Sequence, residues 1–191
     1  MSLWQERFFF DALLAARDRA ARGQSDPQLL AVMKAIASQA AQQVANMAQI
    51  EAYVKSQQDN LRYAFKQDEP QASLATIQAN LETLGKGAEQ IRHNLYYLTA
   101  RCRIASSQAL SDQEMYQAGL LILGQIQQLQ LGLNTLYTDT VAVAGIVGEN
   151  KWATNKFFKH KMDELLSNVV RIQDSVFSVY NAGYELTMRC K

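Results

Sequence analysis

Two histidines each stand four residues from a glutamate, Glu89 with His93 and His160 with Glu164. On helices each pair shares a face and sets an imidazole beside a carboxylate, a combination able to ligate a metal ion. Di-iron bundles, however, use Glu-x-x-His pairs on facing helices, and neither pair here has that spacing. Lys156, Lys159 and Lys161 also surround His160 with positive charge that opposes a bound cation. No metal site is therefore expected. The chain lacks the Cys-x-x-Cys-His haem attachment, and a lone histidine such as His93 is normally structural, so no cofactor is expected either.

Nucleophilic catalysis lacks its parts as well. There is no Gly-x-Ser-x-Gly elbow, and Cys102 falls on an apolar seam, where a thiol is usually inert. Gly85-Lys86-Gly87 has the residue types of a phosphate loop without its spacing or its preceding strand. A local helix bend or close packing accounts for it better. No catalytic residue can be assigned, and a non-enzymatic role is expected.

Three other groups of residues offer binding or cross-linking chemistry. Arg92, Arg101 and Arg103 on one segment are candidate contacts for an anionic small molecule held between helices. Trp4, Phe8 and Phe9 near the start, with Lys151, Trp152, Lys156, Lys159 and Lys161 further on, are candidate partner-surface residues. The second set interleaves basic and aromatic side chains, which suits a binding patch but is also common on a solvated helix start. Helical spacing would bury most of Trp4, Phe8, Phe9 and Phe10 with Tyr96, Tyr97, Tyr180 and Tyr184. Phe9 cannot fully share a face with Phe8 and Phe10, so some apolar area is left over, and exposed aromatics would imply a partner. Cys102 and Cys190 are the two cysteines, and a bridge between them would close a loop of about ninety residues and contribute roughly 4 kcal/mol. Two reduced, buried thiols are the alternative.

The elements that must position these groups are long helices. The chain has only two prolines and nine glycines in 191 residues, and its punctuation is confined to a few places. Those are Gly23 to Pro27, Lys66 to Pro70, Ser111 to Glu114 and Gly145 to Asn150. Ser111 and Glu114 have the spacing of a capping box, and Gly145 with Gly148 suit a turn between helices.

The segments between breaks carry seven-residue seams. The third reads Leu74, Ile77, Leu81, Leu84, Ala88, Ile91, Leu95, Leu98, Cys102, Ala105, alternating steps of three and four. The fourth, from Met115 to Val147, and the fifth, from Phe158 to Cys190, repeat that rhythm. The fourth adds Leu120, Leu123, Leu131 and Tyr137 off its seam, which predicts a central helix buried on two faces. The second is diluted by Gln43 and by Gln57 or Gln58, explicable by close approach at alanines, by exposure, or by a partner chain filling that face. The short first helix is expected to dock through Trp4, Phe8 and Leu14, or through Leu3, Phe10 and Leu14.

These patterns predict an all-α, up-and-down antiparallel bundle of four long helices at about 27–66, 70–108, 112–145 and 150–189. A short helix at about 3–22 is packed on it or projects from it, and residues 1–191 form a single domain. With 19 basic and 18 acidic residues the net charge is +1, which provides no field to recruit nucleic acid. No run of about twenty apolar residues suggests a transmembrane segment. The start lacks a signal-peptide pattern, but Met1-Ser2-Leu3 also fits an expression leader, so the native compartment stays open. A Cys102–Cys190 bridge would point outside the cytoplasm, and its absence to the cytoplasm.

Gln39, Gln42, Gln43, Gln57, Gln58, Gln125, Gln127, Gln128 and Gln130 give the helices an uncharged, hydrogen-bonding coat. In composition this coat resembles that of many bacterial interaction bundles, including extracytoplasmic components of secretion and conjugation machinery, without a diagnostic motif. The leading expectation is a non-enzymatic interaction or structural bundle with a protein partner or a second copy, secreted or periplasmic in setting. A sensory bundle holding a small molecule and an enzyme outside the known motifs are the alternatives.

Overall fold

The computed structural model describes residues 3–21, 27–67, 71–149 and 156–191, and their side chains except those of 3–5, 16–21, 71 and 157. Among the described residues the chain forms five helices and no strand. They are α1 (Leu3–Ala21), α2 (Pro27–Ala64), α3 (Gln71–Ser106), α4 (Gln113–Gly148) and α5 (Lys156–Arg189). The all-α helical bundle with its short N-terminal helix is thus as the periodicity predicts, with boundaries shifted by a few residues.

One shift has a clear cause. Asp112, not Ser111, caps α4, its Oδ1 accepting from the Met115 amide at 3.0 Å. The Ser111 hydroxyl instead donates to the Lys191 carbonyl at 2.9 Å, and the Asp112 amide donates to the Cys190 carbonyl at 3.0 Å. The connection after α3 is therefore tied to the chain's last residues, which satisfies carbonyls that the end of α5 would otherwise leave unpaired. At the other end of α4 the helix runs through Gly145 and ends at Gly148, so Gly145 lies inside the helix and not in a turn. Continued apolar anchoring by Val143 and Val147, both buried, outweighs the weak helix propensity of the glycines.

The chain divides into two compact units. The first comprises Met1–Gln43, Asn94–Leu129 and Ser175–Lys191. Within it α2 and α3 run antiparallel, with Gln39 bonded to Arg101 and Gln43 to Asn94. Helices α4 and α5 also run antiparallel and come close, since a Cβ on Gly119 would fall 2.9 Å from Thr187 Cβ and one on Gly183 3.2 Å from Ile126 Cδ1. Its core includes Leu29, Met33, Ile36, Leu95, Leu98, Ile122, Ile126 and Leu186, all buried. Each contributes about 1.5–3 kcal/mol by leaving water.

The second unit comprises Val44–His93 and Gln130–Asp174. Here α3 lies antiparallel to α2 and parallel to α5, and α2 lies parallel to α4, where a Cβ on Gly132 would sit 3.3 Å from Met47 Sδ. Gly85 and Gly87 are the close-packing sites: their added Cβ atoms would stand 3.8 Å from Leu165 Cα and 3.0 Å from Ile50 Cδ1. The Asn168 amide donates to the Gly85 carbonyl at 3.2 Å, fixing α5 on α3 at that point.

The seams of α4 and α5 are buried along their lengths, and that of α3 is buried from Ile77 onward. The off-seam residues of α4 are not. Leu120, Leu131 and Tyr137 are exposed and Leu123 is half-buried, so the expected second face of α4 is largely open to solvent. The diluted seam of α2 has a cause that composition did not suggest. Gln43 and Gln57 are buried, and their carbonyl oxygens accept from the amides of Asn94 at 3.1 Å and Asn80 at 3.3 Å. Each is thus satisfied inside its own unit by an amide of α3.

Candidate interaction site

In the first unit α1 docks on α3 through Phe9 and Leu13, which are buried, while Phe8, Phe10 and Leu14 are exposed. The docking face is therefore neither Phe8 with Leu14 nor Phe10 with Leu14. Glu6, Phe9 and Leu13, at steps of three and four, share the inward face, and what selects it is Arg101. Arg101 Nη2 donates to Glu6 Oε1 at 3.0 Å and Nη1 to Gln39 Oε1 at 2.6 Å. The Phe9 ring centre lies 4.2 Å from the guanidinium carbon, a cation–π contact.

A guanidinium only 7% exposed must have its charge and donors met, and here one acceptor comes from α1 and another from α2. Burial pushes the Arg101 pKa below its ordinary value, and the Glu6 carboxylate pulls it back upward. Beside the cluster is a hollow of about 360 Å³ whose lining includes Glu6, Phe9, Phe10, Tyr97, Arg101 and Ile104. It is open to solvent, with Phe10, Tyr97 and Ile104 exposed on it beside Arg7; next to it Phe8, 67% exposed, packs edge-on against Phe9 at 6.1 Å. Tyr96, 68% exposed, meets Tyr97 edge-on at 5.7 Å. The arrangement can anchor α1 by charge and present aromatic rings outward.

The other candidate residues fall as follows. Phe9 is buried and so is not part of an accessible partner surface. The side chain of Trp4, and Lys151 and Trp152 entirely, lie outside the described residues. Lys156 and Lys159 are exposed at the start of α5 in the second unit, and Lys161 is paired with Glu164 at 3.0 Å and Glu82 at 4.0 Å. The three arginines differ in their surroundings. Arg103 is exposed, Arg101 is neutralised by Glu6, and Arg92, in the second unit, stands 3.9 Å from Glu89. Cys102 and Cys190 are both free, buried thiols. Desolvation pushes the Cys102 pKa up to about 12, and that of Cys190 rises through burial and the nearby Asp112 carboxylate. Glu89 with His93 at 3.9 Å and His160 with Glu164 at 3.4 Å do share helix faces, each on a solvent-facing side.

Sequence reasoning singled out Arg101 but missed Glu6 as its partner and Gln39 as its second acceptor. The step from Glu6 to Phe9 to Leu13 is the signal for Glu6. No protein-family model, curated protein or solved structure matches this chain.

Proposed function

We propose that this chain is a non-enzymatic helical-bundle interaction protein that engages a protein partner through the aromatic surface of α1 and α3. The observation that carries this reading is the split of three consecutive phenylalanines. Phe9 is spent on anchoring α1, whereas Phe8 and Phe10 stand 67% and 58% exposed. Adjacent exposed aromatics are costly in water and favourable in an interface, where such side chains supply most of the binding energy. Tyr97 and Ile104, which line the hollow with Phe10, extend the exposed apolar surface. The glutamine-rich, nearly neutral coat supports a role as a component of a larger bacterial assembly or secretion apparatus, with contacts made by fit and hydrogen bonding more than by long-range charge.

The test is affinity purification from the native cell of the wild-type chain and of a Phe8→Ser/Phe10→Ser variant with unchanged thermal unfolding. A stoichiometric partner, or a second copy, retained by the first and lost by the second supports the proposal. An identical set of co-purifying proteins for both chains refutes it.

A further inference from the structure

Two adjoining hollows lie along the α2/α3 groove of the second unit. One of about 480 Å³ is lined chiefly by Tyr53, Ser56, Gln57, Asn60, Asn80 and Thr83. The other, of about 250 Å³, has Tyr63, Ser73 and Thr76 in its lining and shares Asn60 and Asn80 with the first. Sharing these two asparagines, they make one trench, and among the described residues no charged side chain lines either part. We propose that this trench binds a neutral, polyhydroxylated ligand, a short stretch of glycan.

The lining dictates the class. The described lining presents no cation to compensate a phosphate or carboxylate and no anion to hold an amine or a metal ion. It offers amides and hydroxyls, which donate and accept at neighbouring atoms as vicinal sugar hydroxyls do. The amides are set in advance: Asn80 Nδ2 donates to Gln57 Oε1 at 3.3 Å, and Gln57 Nε2 donates to the Tyr53 carbonyl at 3.3 Å and to Ser56 Oγ at 3.2 Å. Gln57 is buried at the floor, so these bonds fix its plane before a ligand arrives. The Thr76 and Thr83 hydroxyls donate to the carbonyls of Ala72 and Ala79, which leaves the lone pairs of these two lining residues to accept.

Tyr53 and Tyr63 complete the match. A pyranose ring carries hydroxyls around its edge and C–H groups on its faces, and an exposed phenol ring is a platform for such a face. The two tyrosines are 56% and 68% exposed, far more than packing requires. Ten residues apart on α2, they stand about 15 Å apart along the helix, a span for several sugar rings and not one.

Saturation-transfer NMR of the full chain with maltotriose, cellotriose and triacetylchitotriose, and with inorganic phosphate as a charged control, tests this. At least one trisaccharide is expected to bind, with Tyr53→Ala and Asn80→Ala each weakening it about tenfold and phosphate giving no competition. Asn80→Ala also removes the Gln57 partner, so Tyr63→Ala, which alters only an exposed ring, serves as the second variant and is expected to weaken binding too. The proposal is overturned by absence of binding for all three sugars up to about 10 mM. It is equally overturned by trisaccharide binding that survives both tyrosine substitutions, or by phosphate displacing the sugar.

Discussion

Arg101 on α3 and Glu6 on α1 meet at 3.0 Å, with the arginine side chain 7% exposed and the glutamate 35% exposed. Removing the acidic partner strips a buried cation of its carboxylate, while Gln39 still accepts from it and Phe9 stays stacked over it. Glu6→Gln is therefore expected to lower stability by about 1–2 kcal/mol in denaturant unfolding and to speed hydrogen exchange along α1. Arg7→Gln is the control: its pair with Asp11 is long, at 3.9 Å, and exposed, so it should change stability by less than about 0.5 kcal/mol.

Cys102 and Cys190 are buried and free, with thiol pKa values above the ordinary range. Alkylation of the native chain at pH 8 should accordingly be slow at both, because thiolate is scarce and the sulfurs are covered. In denaturant without reductant, thiol titration should find two reactive groups per chain. Finding none would establish a Cys102–Cys190 bridge.

The glycines of α4 divide by surroundings. A Cβ added at Gly124 or Gly145 meets nothing within 4 Å, whereas one at Gly119 would fall 2.5 Å from Thr187 Oγ1. Gly124→Ala and Gly145→Ala should each stabilise by roughly 0.5–1 kcal/mol through helix propensity. Gly119→Ala should destabilise by about 1–3 kcal/mol through overpacking against α5, as thermal unfolding would report.

Glu51 and Asp139 face each other between α2 and α4 in the second unit. A side-chain hydrogen bond with Asp139, then desolvation and charge repulsion, raises the Glu51 pKa above 4.5. A raised acid binds more protons when folded, so this pair adds stability as pH falls through the raised value and loses it as pH rises. Asp139→Asn should thus stabilise at pH 7 by roughly 0.5 kcal/mol, the carboxylates being partly solvated, with the gain disappearing below about pH 4 in unfolding measured across pH.

The seams of α3, α4 and α5 were legible because burial repeats with the helical period, and nearly every seam residue from Ile77 to Cys190 is buried. The role of α2's glutamines was not, because a glutamine reads alike whether it faces water or a matching amide. The pairing was written across two segments: Asn80, Gly87, Asn94 and Arg101 recur every seven residues on α3, opposite Gln57, Ile50, Gln43 and Gln39 on α2. The inward face of α1 was missed for a related reason. Three consecutive phenylalanines look equivalent by hydrophobicity, and the choice of Phe9 is made by a guanidinium more than ninety residues away.

Site-specific photo-crosslinking in the native cell tests the interaction proposal most directly, with a photoreactive phenylalanine placed at Phe8, at Phe10 and at the exposed control Gln127. A discrete protein adduct, or a covalent dimer, is expected from Phe8 and Phe10 and not from Gln127. Adducts absent from both phenylalanine positions, or equal at all three, would contradict a partner surface on α1.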